Sequence, residues 1–316
     1  MASRTSLTSM IPRPISLKPA KPDTRLLKLE ETPAWYEPNQ YVLTGYRPQS
    51  KSTANAFLSW TYLHNETCNI YSHLVPAVGS VVGQWALHRY ISDQYPFASR
   101  GDQLVLSFHA LTATICLGTS SMFHTFNHHS PRVSRGWLVC DFIGILILTF
   151  GNFISGIYFG FYSEQNIRFA YWSMISVLSF LTAIFMLNPY YQGPEYRNFR
   201  LASFVSTALS GFAPVIHGAI IFDRETFNNS GIPFYLLEGA LLILAAYIYG
   251  TPLYLRSNSH RIKHRIPERW YPGHFDIWGH SHTIFHVLVV IATGVHFYGL
   301  LGAFEYDYWN RAVCLV

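Results

Sequence analysis

Residues 279–295 read GHSHTIFHVLVVIATGV and open the last apolar run of the chain. His282 and His286 are four positions apart, so on an α-helix they lie one above the other on a single face. Two imidazoles at that spacing are a common way to hold a divalent metal. The residues that follow are almost wholly apolar, which puts the pair just inside a membrane. A polar side chain there is costly without a partner and marks a functional position by default. Two readings stand at this point, metal ligands or hydrogen-bonded core histidines.

Composition sets the solvent. Of 316 residues, 50% are hydrophobic, 16% aromatic and only 12% charged, against about 25% charged in soluble domains. A polytopic, all-α membrane protein follows, and a soluble enzyme is excluded. Seven apolar runs lie near 69–88, 103–124, 136–160, 168–188, 200–222, 233–252 and 280–302. Each has about 20 residues or more, enough to cross roughly 30 Å of hydrocarbon as a helix. The expectation is a seven-transmembrane helix bundle over residues 55–316, with Pro214 kinking the fifth helix. Residues 1–54, rich in Pro, Ser, Thr and Lys, read as a mostly disordered tail with at most a short helix near 22–31. Within that tail, residues 35–48 add aromatics and a GYRP turn, and are expected to dock on the bundle. Cys68, Cys116, Cys140 and Cys314 form no close pair, so neither a disulfide framework nor a cysteine metal site follows. A net charge of +5 is modest and calls for no nucleic-acid partner.

Charge placement predicts orientation. Seventeen Lys and Arg fall on the N-terminal side of the seven runs and five on the other. The positive-inside rule puts the N-terminus in the cytosol and the C-terminus outside or in the lumen. The sequon at Asn228–Ser230 then lies on the outer side, and the one at Asn65–Thr67 on the cytosolic side. The membrane is the plasma membrane or an endomembrane such as the ER.

With that topology His124, in SSMFH, ends the second run at the cytosolic side, and Asp141, in LVCD, begins the third. Together with His282 and His286, four candidate ligands from three helices share one depth. Three His with an open position is the composition of a catalytic zinc site. A carboxylate that does not bind directly can hold and deprotonate the water. The predicted metal ligands are His124, His282 and His286, with Asp141 as general base. Ser120, one turn before His124, orients a ligand or contacts Asp141. Asp141 as a structural carboxylate and His124 as an interfacial histidine are the competing readings. Glu66, Asn69 and His73 start the first run at the same face, as a supporting network or as helix-end packing. His217 reads as a core histidine, and Glu238 stays unassigned. His260, His264 and His274 fall in a basic loop. No GxSxG elbow accompanies Ser120, and HSHTIFH lacks the Glu of HExxH.

LHNETCNIYSH (63–73), SSMFHTFNHHSPRVSRGWLVCDFIGI (120–145) and IPERWYPGHFDIWGHSHTIFHVLVVIA (266–292), with GYRP (45–48) and GFAPVIHG (211–218), resemble the progestin and adipoQ receptor family, the hemolysin III-related proteins. The resemblance is to the adiponectin-receptor and fungal zinc-homeostasis branch and covers roughly residues 35–302. It implies seven helices with a cytosolic N-terminus, and zinc held by His124, His282 and His286 with Asp141 on the zinc-bound water. Members of the family act as receptors for extracellular ligands and as regulators of lipid and zinc balance, and several resemble ceramidases. Two functions follow: a zinc amidohydrolase of ceramide-like membrane lipids, or a receptor in which zinc is structural. Zinc transport is the weaker third, because the sequence reveals no second ligand cluster in the outer half.

Overall fold

The computed structural model describes residues 25–36, 38–192, 196–250 and 264–313. The helices are α1 (Thr53–Leu58), α2 (Thr67–Gln94), α3 (Arg100–Phe126), α4 (Pro131–Gly160), α5 (Gln165–Leu187), α6 (Arg197–Leu209), α7 (Phe212–Ile221), α8 (Arg224–Asn229), α9 (Ile232–Tyr249) and α10 (Ser281–Val313). Short 3-10 turns and one isolated β-bridge, Leu27 to Tyr46, complete the described residues. Of the expected tail helix near 22–31, residues 22–24 lie outside those residues, and residues 25–31 form no α-helix but carry the bridge at Leu27 and a 3-10 turn at Leu29–Glu31; residues 251–263 with His260 also lie outside.

Six segments are long and apolar enough to cross a membrane: α3, α4, α5, Ala202–Ile221, α9 and most of α10. The chain is an integral membrane protein. α2 is not among the six. Its 28 residues carry Asn69, Ser72, His73, Gln84, His88 and Arg89, which dilute its apolar character. Its outward side is nevertheless oily, with Val75, Val78, Val82 and Trp85 all exposed. The fifth apolar run is broken where Pro214 predicts a kink. α6 ends at Leu209 and α7 starts at Phe212; Pro214 has no N–H to give the Ser210 carbonyl, which accepts from Ala213 N instead (3.1 Å).

α3 packs against α2 and α4, and α10 against α9 and α2. The approach of α4 to α3 depends on glycine. A Cβ at Gly151 would fall 2.0 Å from Thr112 Oγ1, and one at Gly144 would fall 2.2 Å from Thr119 Oγ1. Close backbone contact of this kind replaces the missing hydrophobic drive between helices in lipid. One end of the bundle is closed by an apolar cluster of Ile91, Tyr95, Leu106, Phe159, Leu300 and Phe304. The other end carries the polar residues.

Residues 39–47, within the segment read as tail, are laced into that polar end. Asn39 Nδ2 donates to Glu268 Oε1 (3.0 Å), and Leu43 N and Thr44 Oγ1 donate to the Asp276 carboxylate (2.9 and 2.6 Å). Glu268 in turn accepts from Ser281 N (2.7 Å) and Ser281 Oγ, so it caps the start of α10. Arg47 is fully buried and donates to the carbonyls of His124 (2.6 Å) and Thr125 (3.2 Å), to Ser59 Oγ (2.7 Å) and to Asn127 Oδ1 (2.8 Å). Residues 39–47 therefore join the last turn of α3 to the first turn of α10.

Candidate metal centre

Those two helix ends carry the three histidines singled out in the sequence. His124, His282 and His286 each present a ring nitrogen, and the three nitrogens lie within 4.8 Å of one another. His124 Nε2 and His282 Nε2 are 3.1 Å apart. The ring planes meet at 51°, 71° and 61°, so the rings converge on a point and do not stack. His124 and His286 are buried and His282 is half-buried.

Each ring is oriented from behind. His124 Nδ1 lies 2.7 Å from Glu66 Oε2. His286 Nδ1 lies 3.1 Å from the Asn69 carbonyl. Acceptors at both Nδ1 atoms hold the proton there and leave the Nε2 lone pairs facing the centre. Glu66 is itself held by Asn69 Nδ2 (2.6 Å) and Asn127 Nδ2 (3.0 Å), and Asn69 Oδ1 accepts from Thr283 (2.8 Å). His73 stacks on His286 with ring centroids 3.8 Å apart. The Tyr249 ring lies 4.7 Å from the His282 ring, and the Arg265 guanidinium lies over the Tyr249 ring, 4.4 Å from its centroid.

Such a set can hold a metal ion. Lone pairs directed at one another at this range repel unless a cation lies among them, and tetrahedral ligands at about 2.0–2.1 Å from zinc are spaced roughly 3.3 Å apart, close to the 3.1 Å of the His124–His282 pair.

Asp141 stands beside this trio, half-buried on α4, and is not one of the converging ligands. Its neighbours include the Ser120 hydroxyl and His124. Ser120 is buried on α3. The network of Glu66 and Asn69 surrounds the histidines, whereas His274 is exposed near its own loop and far from any ligand role in the contacts it makes. His217 pairs with Tyr171 (2.9 Å). Arg47, Asn127, Thr283 and Tyr249 are site neighbours that sequence reasoning did not single out. The GYRP turn was the one local signal for Arg47. Among the described residues the trio is the one group of ligand side chains placed to hold a metal. Farther along the helices the fold brings His109, Glu238 and His296 together, a contact the sequence did not show. They come from three separate helices, so no spacing in the sequence announces them.

A helical membrane protein with three converging, buried-side histidines at one end is the class that fold and site define. The haemolysin-III-related family model matches residues 61–297, and the chain belongs to that family. It is 34% identical to the adiponectin receptor protein of Drosophila melanogaster over 85% of this chain and 57% of the fly protein. It is 34% identical to ADIPOR-like receptor IZH2 of Saccharomyces cerevisiae over 89% of this chain and 84% of the yeast protein. Heptahelical transmembrane protein 4 of Arabidopsis thaliana is 28% identical, over 86% of each chain. The chain thus spans less than two thirds of the fly relative's length.

Proposed function

We propose that this protein is a seven-span, adiponectin-receptor-like zinc protein that hydrolyses the amide of ceramide-type membrane lipids, and through that chemistry acts in receptor signalling and in lipid and zinc homeostasis. The observation that carries this reading is the separation of roles at the centre. Three imidazoles converge while the carboxylate of Asp141 stays outside their group, which leaves one coordination position for chemistry, as in catalytic zinc sites. Zinc suits three imidazole nitrogens better than harder oxygen-seeking cations do. α2 supplies the seventh span, its polar side turned to the centre and its valines to lipid.

When bound, zinc supplies Lewis acidity toward an amide carbonyl and makes a water molecule acidic near neutral pH. Glu66 and Asn69 fix the tautomers of His124 and His286. Asp141 takes a proton from the attacking water and passes it to the departing amine, yielding a free fatty acid and a sphingoid base. Ser120 holds the Asp141 carboxyl in place.

A second reading makes the zinc a structural tie and the protein a non-catalytic receptor for an extracellular ligand. The attachment of the centre to both α3 and α10 favours it, as do the receptor names of the relatives. The deciding experiment is mass spectrometry of lipid products from purified full-length protein incubated with ceramide, with and without a chelator, beside a count of bound zinc. Chelator-sensitive release of sphingosine is expected. About one zinc per chain with no turnover of any ceramide would decide for the structural tie.

A further inference from the structure

Farther along the same helices lies a second polar cluster. His296 is ten residues beyond His286 on α10, roughly 15 Å away at 1.5 Å per residue, and His109 is displaced the same way along α3. His296 Nδ1 lies 2.6 Å from Glu238 Oε2 on α9, and Asn152 Nδ2 on α4 donates to Glu238 Oε1 at 2.6 Å. Tyr235 stacks on one side of the His296 ring (centroids 4.6 Å) and His109 on the other (5.0 Å). His109, His296 and Glu238 are 1%, 3% and 9% exposed. His296 Nε2, His109 Nδ1, Asn152 Oδ1 and the Tyr235 hydroxyl are all buried with no hydrogen-bond partner. A buried carboxylate and two buried imidazoles inside a bilayer are expensive, and such groups are retained for a ligand or a charge they handle.

We propose that this cluster is a second ligand site and that its ligand is a single proton, held as a His296 imidazolium on the Glu238 carboxylate. With both imidazoles neutral, an ionised Glu238 leaves a net negative charge in the membrane interior, and His296 is its ion-pair partner among the described residues. One added proton makes the pair neutral overall. Glu238 Oε1 already accepts from Asn152 Nδ2, which favours the carboxylate form and so a proton on the ring. A second proton is opposed, because His109 lies stacked 5.0 Å away and two imidazolium charges there would repel. The titratable groups facing the pair are His109 from α3, Tyr235 from α9 and, through Tyr235, Asp307 of α10; α4 contributes the neutral Asn152. A metal ion fits poorly. The planes of His109 and His296 are 17° apart, so their in-plane lone pairs run nearly parallel and do not meet. At the metal centre the corresponding angles are 51–71°.

The test is nitrogen NMR of histidine-labelled full-length protein in nanodiscs, with His296 assigned through His296→Asn. The wild-type His296 ring is expected to be doubly protonated at neutral pH. In Glu238→Gln the ring is expected to be singly protonated under the same conditions. A His296 ring that stays neutral in the wild type at every pH between about 5 and 9 would overturn the proposal, and this arm needs no variant to fold. An unchanged titration in Glu238→Gln would overturn it equally. Bound zinc is counted on the same samples. The same zinc content in wild type and His296→Asn is expected, and loss of a second zinc equivalent in His296→Asn would replace the proton with a metal.

Discussion

Glu66 Oε2 accepts the His124 Nδ1 proton at 2.7 Å, from the residue that precedes α2 to the last turn of α3. That bond sets which nitrogen of His124 faces the centre. Glu66→Gln removes the charge that favours the Nδ1–H tautomer. Zinc affinity, read by competition with a chelator, should weaken by about 10–100-fold, the usual effect of losing an orienting partner. Unchanged affinity would mean that Glu66 is only a helix-end contact.

Arg47 binds the backbone of the same turn. Burial lowers its guanidinium to about 10, the charge of Glu66 working against that fall, so it remains charged at neutral pH. Arg47→Met leaves the carbonyls of His124 and Thr125 without a donor and should cost about 2–5 kcal/mol of stability. The readout is the unfolding midpoint in mild detergent. Arg47→Lys should restore only part, because an ammonium cannot span the four acceptors that the planar guanidinium reaches.

Acid should loosen this region. Burial, helped by the Arg47 charge, lowers His64 to about 3 and His128 to about 2, from 6.5. Between those values and 6.5 the unfolded chain binds more protons than the folded one, so stability rises with pH across that window and is lost as pH falls through it. At pH 5 each buried ring should withdraw about 2 kcal/mol relative to neutral pH. Hydrogen-exchange protection at residues 45–65, corrected for the intrinsic slowing of exchange in acid, should fall between pH 7 and pH 5. A flat exchange profile over that range would contradict the buried, neutral state of these rings.

Asp141→Asn separates catalysis from a structural tie. The amide is nearly the same size, so zinc should stay bound. Ceramide turnover should fall by about 10²–10⁴-fold if Asp141 moves the proton. Turnover equal to wild type would remove Asp141 from the mechanism and leave the histidines in place.

The orientation rests on seventeen basic residues against five. A tag before Met1 should be reached only after permeabilisation, and a tag after Val316 in intact cells. The reverse accessibility would invert the bundle and move the histidine centre to the outer side.

The membrane character, the approximate helix limits and the histidine trio were readable in the sequence. Apolar runs of helical length and the i, i+4 spacing of His282 and His286 are local properties, and local physics reads them. The Pro214 break belongs with them, since one missing N–H acts within its own turn. The tertiary structure decided which polar residues meet. Glu66 and His124 are 58 positions apart, as are Glu238 and His296, and Arg47 reaches His124 across 77. Pairings at such distances depend on how α2, α3, α9 and α10 are rotated about their own axes. That rotation is set by close contacts such as Gly151 on Thr112, summed over the bundle, and no single stretch of sequence contains it. For this reason residues 35–48 could be expected to dock on the bundle, while the placing of Arg47 against the turn of His124 had to come from the fold. Glu238 and His109 could likewise read as isolated oddities while the fold makes them neighbours of His296.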